Sequence, residues 1–202
     1  MKRLILLPIL LILLIAGCKK QTSQPSTPFT MADFPLTVGN YWVYSRYDAT
    51  PNVRDTVTLS LISKYVIGDT TKYIFTQNSP SRIDTSVLAA YRDTICIISA
   101  TGEMPFQYIS VYPLINNSYW SDSTYTCSLT NPLMVNNSTY NNIYAIHHSA
   151  LLCLDVCSMS DTYLVKGIGI VRYNQNTSTA TFHINNLATT HYQWDLLSYH
   201  II

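Results

Sequence analysis

The sequence predicts an all-β fold: an antiparallel meander of about ten strands that forms a strongly curved sheet, an incomplete barrel or a sandwich. Three observations predict it. Helix formers are scarce, with a single glutamate, Glu103, against 16 tyrosines and abundant Thr, Val and Ile. Apolar and polar residues alternate with period two in several stretches. Turn residues recur at hairpin spacing with no long helical pattern between them, and short connections make antiparallel neighbours because parallel pairs need long crossovers.

The elements follow in order. Pro35 and Gly39-Asn40 supply turn chemistry before a first strand over 41–47. Residues 55–66 alternate most cleanly, with Val57, Leu59, Leu61 and Tyr65 on one face and Thr56, Thr58, Ser60 and Lys64 on the other. Gly68-Asp69 ends that strand, and 72–77 follows with Tyr73 and Phe75 together. Over 82–92 the apolar face is expected to be Ile83, Val87, Ala89 and Tyr91, opposite Arg82, Asp84 and Ser86. Strands over 94–99 and 106–112 flank a loop at 102–105. Residues 123–129 place Tyr125, Cys127 and Leu129 on one face, and Asn131-Pro132 and Asn136-Asn137 punctuate what comes next. Residues 143–157 read as one long or broken strand, and 162–173, 178–184 and 193–202 complete the set. One-sided apolar faces argue for a sheet that covers a core on one side and meets water on the other. Arg, Lys and Asp on several faces exclude an outer-membrane barrel, which needs an apolar lipid-facing band.

The start of the chain has a different character. Lys2 and Arg3 precede an apolar run over 4–15, broken only by Pro8, and Ala16-Gly17-Cys18 follows. That layout is a secretory signal, and the run is too short to span a bilayer, which takes roughly 20 residues. Ile15-Ala16-Gly17-Cys18 resembles the lipobox of bacterial lipoproteins. The resemblance implies cleavage before Cys18, diacylation of its sulfur and a membrane anchor, and two acyl chains suffice for stable anchoring where one does not. The expected organisation is a signal peptide at 1–17, a flexible tether at 18–33 rich in Ser, Thr, Gln and Pro, and one β domain at 34–202. Lys19 and Lys20 favour anionic headgroups. Some lipoproteins of the kind this start resembles reach the surface through acidic residues just after the cysteine, and the resemblance, with Lys19, Lys20 and Gln21 at those positions, implies an outer-membrane lipoprotein facing the periplasm.

Formal charge is +1 for the whole chain and becomes −1 once 1–17 is removed. With no basic patch in the body, nucleic acid is not an expected partner. Cys96, Cys127, Cys153 and Cys157 sit in an exported chain, so two disulfides or four buried thiols are both open readings.

Further motifs resemble a group of lipoproteins of the Bacteroidetes type. Phe34-Pro35-Leu36-Thr37-Val38-Gly39-Asn40-Tyr41-Trp42-Val43-Tyr44 is similar to their PL-x-x-G-N-x-W-x-Y opening, and the stretch from Tyr163 through Gly167 and Gly169 to Val171 is similar to their Y-x-x-x-G-x-G-x-V hairpin. The resemblance implies an all-β envelope domain and carries over no catalytic residue. Gly167 and Gly169 read as close-approach positions, with Trp42 the expected cover. Asp-Thr and Asp-Ser starts at Thr56, Thr70, Thr94 and Ser123 resemble the O-glycosylation site of exported Bacteroidetes proteins, although Asp at turns and Thr in strands produce the same pattern.

The sharpest metal candidates are His147, Cys153 and Cys157, since zinc favours Cys and His, but their spacing matches no established zinc pattern. No G-x-S-x-G, H-E-x-x-H, P-loop or G-x-G-x-x-G motif occurs, and no carboxylate pair stands out. The expected role is therefore non-enzymatic, without a cofactor: a lipid-anchored envelope domain for structure or interaction with a protein or lipid ligand. The rivals are a hydrophobic-ligand carrier with a half-barrel cavity and a zinc-dependent or other enzyme whose site is invisible in sequence.

Overall fold

The structure, a computed structural model, describes residues 27–50, 52–91, 94–100, 118–120, 125–130, 132–153, 156–180 and 187–202. Side chains at 94–100, 118–120, 125–126, 150–153, 156–157, 178–180 and 187–190 lie outside the described set. The elements in chain order are a 3₁₀ turn (Met31–Asp33) and strands β1 (Tyr41–Asp48), β2 (Val53–Ile67), β3 (Thr70–Asn78), β4 (Ile83–Tyr91), β5 (Thr94–Ala100), β6 (Ser118–Trp120), β7 (Tyr125–Thr130), β8 (Leu133–Val135), β9 (Ser138–Tyr140), β10 (Ile143–Cys153), β11 (Val156–Val165), β12 (Gly169–Ala180) and β13 (Leu187–His200).

Eleven of these strands form one antiparallel sheet in the order β5-β4-β3-β2-β1-β13-β12-β11-β10-β7-β6. That is the cyclic order of an up-and-down barrel, closed by the pairing of β1 with β13 and left open between β5 and β6. The curved-sheet expectation holds, and the sandwich alternative gives way to a single sheet. Side chains from β1, β2, β3, β4, β7, β10, β11, β12 and β13 meet in one core, which a flat sheet of this width could not bring about.

The core is aromatic. Trp42, Tyr44 and Trp194 are fully buried, Trp42 lies 6.2 Å from Phe75, and Tyr44 meets Trp194 edge-on at 5.8 Å. Rings of this kind stabilise by area and by edge-to-face geometry, but their polar atoms need partners. Both find them on β12 or the turn before it: Trp42 Nε1 donates to the Ile168 carbonyl at 2.6 Å and the Tyr44 hydroxyl to the Ile170 carbonyl at 2.9 Å.

Several expectations are corrected by register. Tyr65 leaves the Val57, Leu59, Leu61 face because a bulge between Leu61 and Ser63 inserts one residue, and every later side chain switches sides. On β4 the buried set is Asp84, Ser86, Leu88, Ala89 and Ala90; Ala89 is inside as expected, while Ile83 and Tyr91 are exposed. Pairing decides this: Ser86 lies opposite Phe75 and Asp84 opposite Gln77, both inward. The 143–157 stretch breaks into the β10–β11 hairpin, and residues 162–173 turn at 166–168 and do not run as one strand. Gly167 and Gly169 accordingly hold φ of +72° and +94°. Trp42 does approach Gly169, as expected, but nothing stands within 4 Å of Gly167's Cβ position. Asn136, at φ +51°, makes the two-residue turn of the β8–β9 hairpin with Asn137. The expected strand at 106–112 lies outside the described residues, as do 181–184; the described part of 178–184 ends β12.

The expected tether boundary at residue 34 falls inside packed chain. Phe29 is completely buried, 5.4 Å from the Tyr144 ring and 6.4 Å from Phe34. Asp33 accepts from the Thr30 amide at 2.7 Å and pairs with Lys166 at 3.2 Å, and Gly167 donates to the Asp33 carbonyl. One phenylalanine among Ser, Thr and Pro was enough to draw the segment into the core, because a fully buried Phe contributes roughly 1.5–3 kcal/mol.

Candidate functional site

Alternation along the strands gives the sheet two differently furnished ends. β1, β3, β4 and β13 bring Asp48, Asn78, Ile83 and Tyr192 to one end, where the β1–β2 and β3–β4 turns lie. At the other end lie the segment from Met31 to Thr37, the β2–β3 turn at Asp69, the β11–β12 turn at Gly167 and the C-terminal Ile202, which line one open cleft of about 660 Å³. Along the eight residues of β1 the two ends stand about 25 Å apart.

The first end is a polar mouth. Arg46 and Asp55 face inward across β1 and β2, joined by two hydrogen bonds of 3.0 and 2.5 Å. A paired fork of this kind is stronger than a neutral hydrogen bond and fixes both groups in a plane. The Arg46 guanidinium also lies 5.6 Å over the Trp194 ring. On β4, Arg82 pairs with Asp84 at 2.7 Å. A pocket of about 280 Å³ opens between them, lined by Arg46, Asp48, Asp55, Ser81, Arg82 and Tyr192. Arg46 and Arg82 are each paired with an aspartate, and the Asp48 carboxylate accepts from the Thr50 amide, so the mouth offers hydrogen-bonding groups.

Two neighbours on the same inner face carry polar atoms that the protein does not satisfy. Both amide atoms of Gln77 and the Ser86 hydroxyl are buried without a hydrogen-bond partner, each residue being 1 % exposed. Such a group costs roughly 1–3 kcal/mol, and groups of this kind are where water or a ligand's polar atoms are accommodated. Across β10 and β11 the inner face continues polar, with His148 opposite Ser160 and Thr162 one pair further. Burial pushes the His148 imidazole below its ordinary value, and the charge of neighbouring His147 adds to the push.

The sequence-derived candidates fall elsewhere. Cys18 and Ser123 lie outside the described residues. His147 stands on the outer face, where Asp161 meets its Nδ1 at 2.7 Å, while His148 points inward, since adjacent strand residues face opposite sides. Cys153 pairs with Val156 and Cys157 with Leu151 across the hairpin, with a register shift between Leu151 and Cys153. Among the described residues no three His, Cys, Asp or Glu side chains gather as metal ligands. Cys127 is buried in the core at 2 % exposure, and the side chains of Cys96, Cys153 and Cys157 lie outside the described set. Thr56 is exposed on β2, Thr70 is half-buried at the start of β3, and the Thr94 side chain lies outside the described set.

Sequence reasoning missed Arg46, Asp55 and Gln77, and placed Arg82, Asp84 and Ser86 on the outer face. The available signal was weak: polar residues at alternate positions of four strands, which become one surface only when the register aligns them.

No protein-family model matches this chain, and no curated protein matches it. Among solved structures, a chain described as a lipoprotein from Parabacteroides distasonis, a member of the Bacteroidetes, aligns at 12% identity and a TM-score of 0.45, covering 88% of this chain and 100% of its own. An S-type phycobiliprotein lyase from Guillardia theta aligns at 8% identity and a TM-score of 0.31, covering 80% of this chain and 88% of its own. Neither likeness is close enough to assign a family.

Proposed function

We propose that this chain is a lipid-anchored domain of the bacterial envelope with a non-enzymatic interaction role, tethered through acyl chains on Cys18 to the periplasmic side of the outer membrane. The observation that carries the reading is polarity along one axis. Thr27, the first described residue after Cys18, is held by the Tyr144 hydroxyl and Lys166, and the polar mouth lies at the opposite end. Anchored so, the domain presents the mouth away from the leaflet. A partner that supplies hydrogen-bonding groups suits the Arg46–Asp55 and Arg82–Asp84 pairs with Gln77 and Ser86 behind them.

A hydrocarbon carrier suits the fold less well. It needs an apolar hollow, whereas the described inner face is filled with rings at one end and lined with ion pairs at the other. The anchoring test is radiolabelled palmitate in the native host: label is expected in the wild-type chain and absent from Cys18→Ser, and equal labelling of both overturns the reading.

A further inference from the structure

The anchored end carries an apolar projection that the core does not use. Leu61 is the last fully buried residue of β2, yet the strand runs on to Ile67. Beyond Leu61 it has left β1 behind, whose first residue pairs with Ser60. The β2–β3 hairpin therefore stands out past the core, and its tip exposes Tyr65 by 40%, Val66 by 68% and Ile67 by 57%. Ile67 pairs with Thr70, and Thr70 with Tyr91, so the exposed Tyr91 adjoins the tip. Asp69 of the same turn lines the cleft with Met31–Thr37 and the exposed Ile202, which places the tip at the end where the chain enters.

We infer that this tip is a membrane-contact surface: Tyr65, Val66 and Ile67, with Tyr91 and Ile202 beside them, seat in the interfacial layer of the leaflet that holds the acyl chains of Cys18. The inference rests on the anchoring proposed above and adds a second point of attachment that fixes orientation. Three features single out a leaflet as the occupant. The stretch from Cys18 to Thr27 reaches at most about 30 Å when extended, so it keeps this end near the lipid. The apolar residues are accompanied by tyrosines, which favour the headgroup level. Lys64 and Lys72 flank the tip, Lys72 lying 5.9 Å from the Tyr65 ring, and lysines there are drawn to anionic headgroups. At the opposite end the exposed Ile83 sits between Arg82 and Asp84, and the exposed Val53 lies beside Arg82 in the polar pocket, so the apolar residues there are interleaved with charge.

The test uses the full acylated chain in vesicles of phosphatidylethanolamine and phosphatidylglycerol with brominated acyl chains, comparing Ile67→Trp with Ile83→Trp, both exposed positions. Brominated lipid is expected to quench the emission added by Ile67→Trp roughly threefold more strongly than that added by Ile83→Trp. Equal, weak quenching in chains fully bound to vesicles overturns the proposal and leaves the anchoring intact. A chain that takes up no palmitate and stays off the vesicles overturns both. Concentration-dependent self-association of the Cys18→Ser chain, lost in a Val66→Asp, Ile67→Asp variant, assigns the tip to a second copy and overturns the leaflet.

Discussion

Gly169 shows how one residue ties the termini of the fold together. Its φ of +94° suits glycine, and a Cβ there would stand 3.6 Å from both the Phe34 ring and Trp42 Nε1 and 3.7 Å from Pro35. The contacts are ordinary, so the backbone angle sets the cost. Gly169→Ala is expected to lose about 1–2 kcal/mol in denaturant unfolding, and Gly169→Val more, because its second branch meets those rings. An unchanged midpoint in both would show that the turn relaxes. His148 gives a pH signature. Its folded pKa lies below the ordinary value because of burial, so the unfolded chain binds the proton more readily. Stability from this group is fully present above about pH 6.5 and is lost as pH falls through the folded value. Thermal midpoints should therefore drop between about pH 7 and 5.5 in wild type and drop less in His148→Gln. At this scale the candidate site was nearly invisible in sequence. Arg46, Gln77 and Asp84 are ordinary strand residues until three ladders place them on one inward face.

At the scale of elements, the segment from Thr27 to Phe34 behaves as a strap. It carries Phe29 into the core and latches through Asp33, whose carboxylate burial alone would raise but the Thr30 amide and Lys166 hold below the usual range. Phe29→Ala is expected to cost about 3–5 kcal/mol, read by urea unfolding, where a true tether residue would cost almost nothing. The Arg46–Asp55 pair makes a parallel case at the mouth. Both side chains keep some solvent contact, 15% and 18%, so Asp55→Asn is expected to lose only about 1–2 kcal/mol while removing the charged partner that holds Arg46 over Trp194. A Trp194 emission shift in that variant would report the release. The bulges teach the limits of pattern reading. Strict alternation predicted Tyr65 inward, and a single inserted residue at Ile62 turned it out.

At the scale of the molecule, the strand order is a ring with one gap. β1 lies between β2 and β13, so the first and last described strands meet at the centre of the sheet, and the Ile202 amide donates to Asn40 Oδ1 at 2.9 Å. Among the described strands β5 and β6 are the edges of the sheet.

Composition and period two determined the fold class without help. β-Branched and aromatic residues with turn residues at hairpin spacing leave few options except an antiparallel meander, because each strand must bury one face and each short turn must reverse the chain. The strands at 41–47, 72–77 and 94–99 were legible for that reason. Which face of β4 turns inward, where Phe29 goes and which strands become neighbours through β1 and β13 were decided only in three dimensions. The first depends on the register of β4 against β3, and the other two on contacts between residues more than a hundred positions apart, such as Phe29 with Tyr144 and Trp42 with Ile168. Local pattern carries no record of a partner that distant; it is chosen when the sheet curls and the rings must find both a packed neighbour and an acceptor.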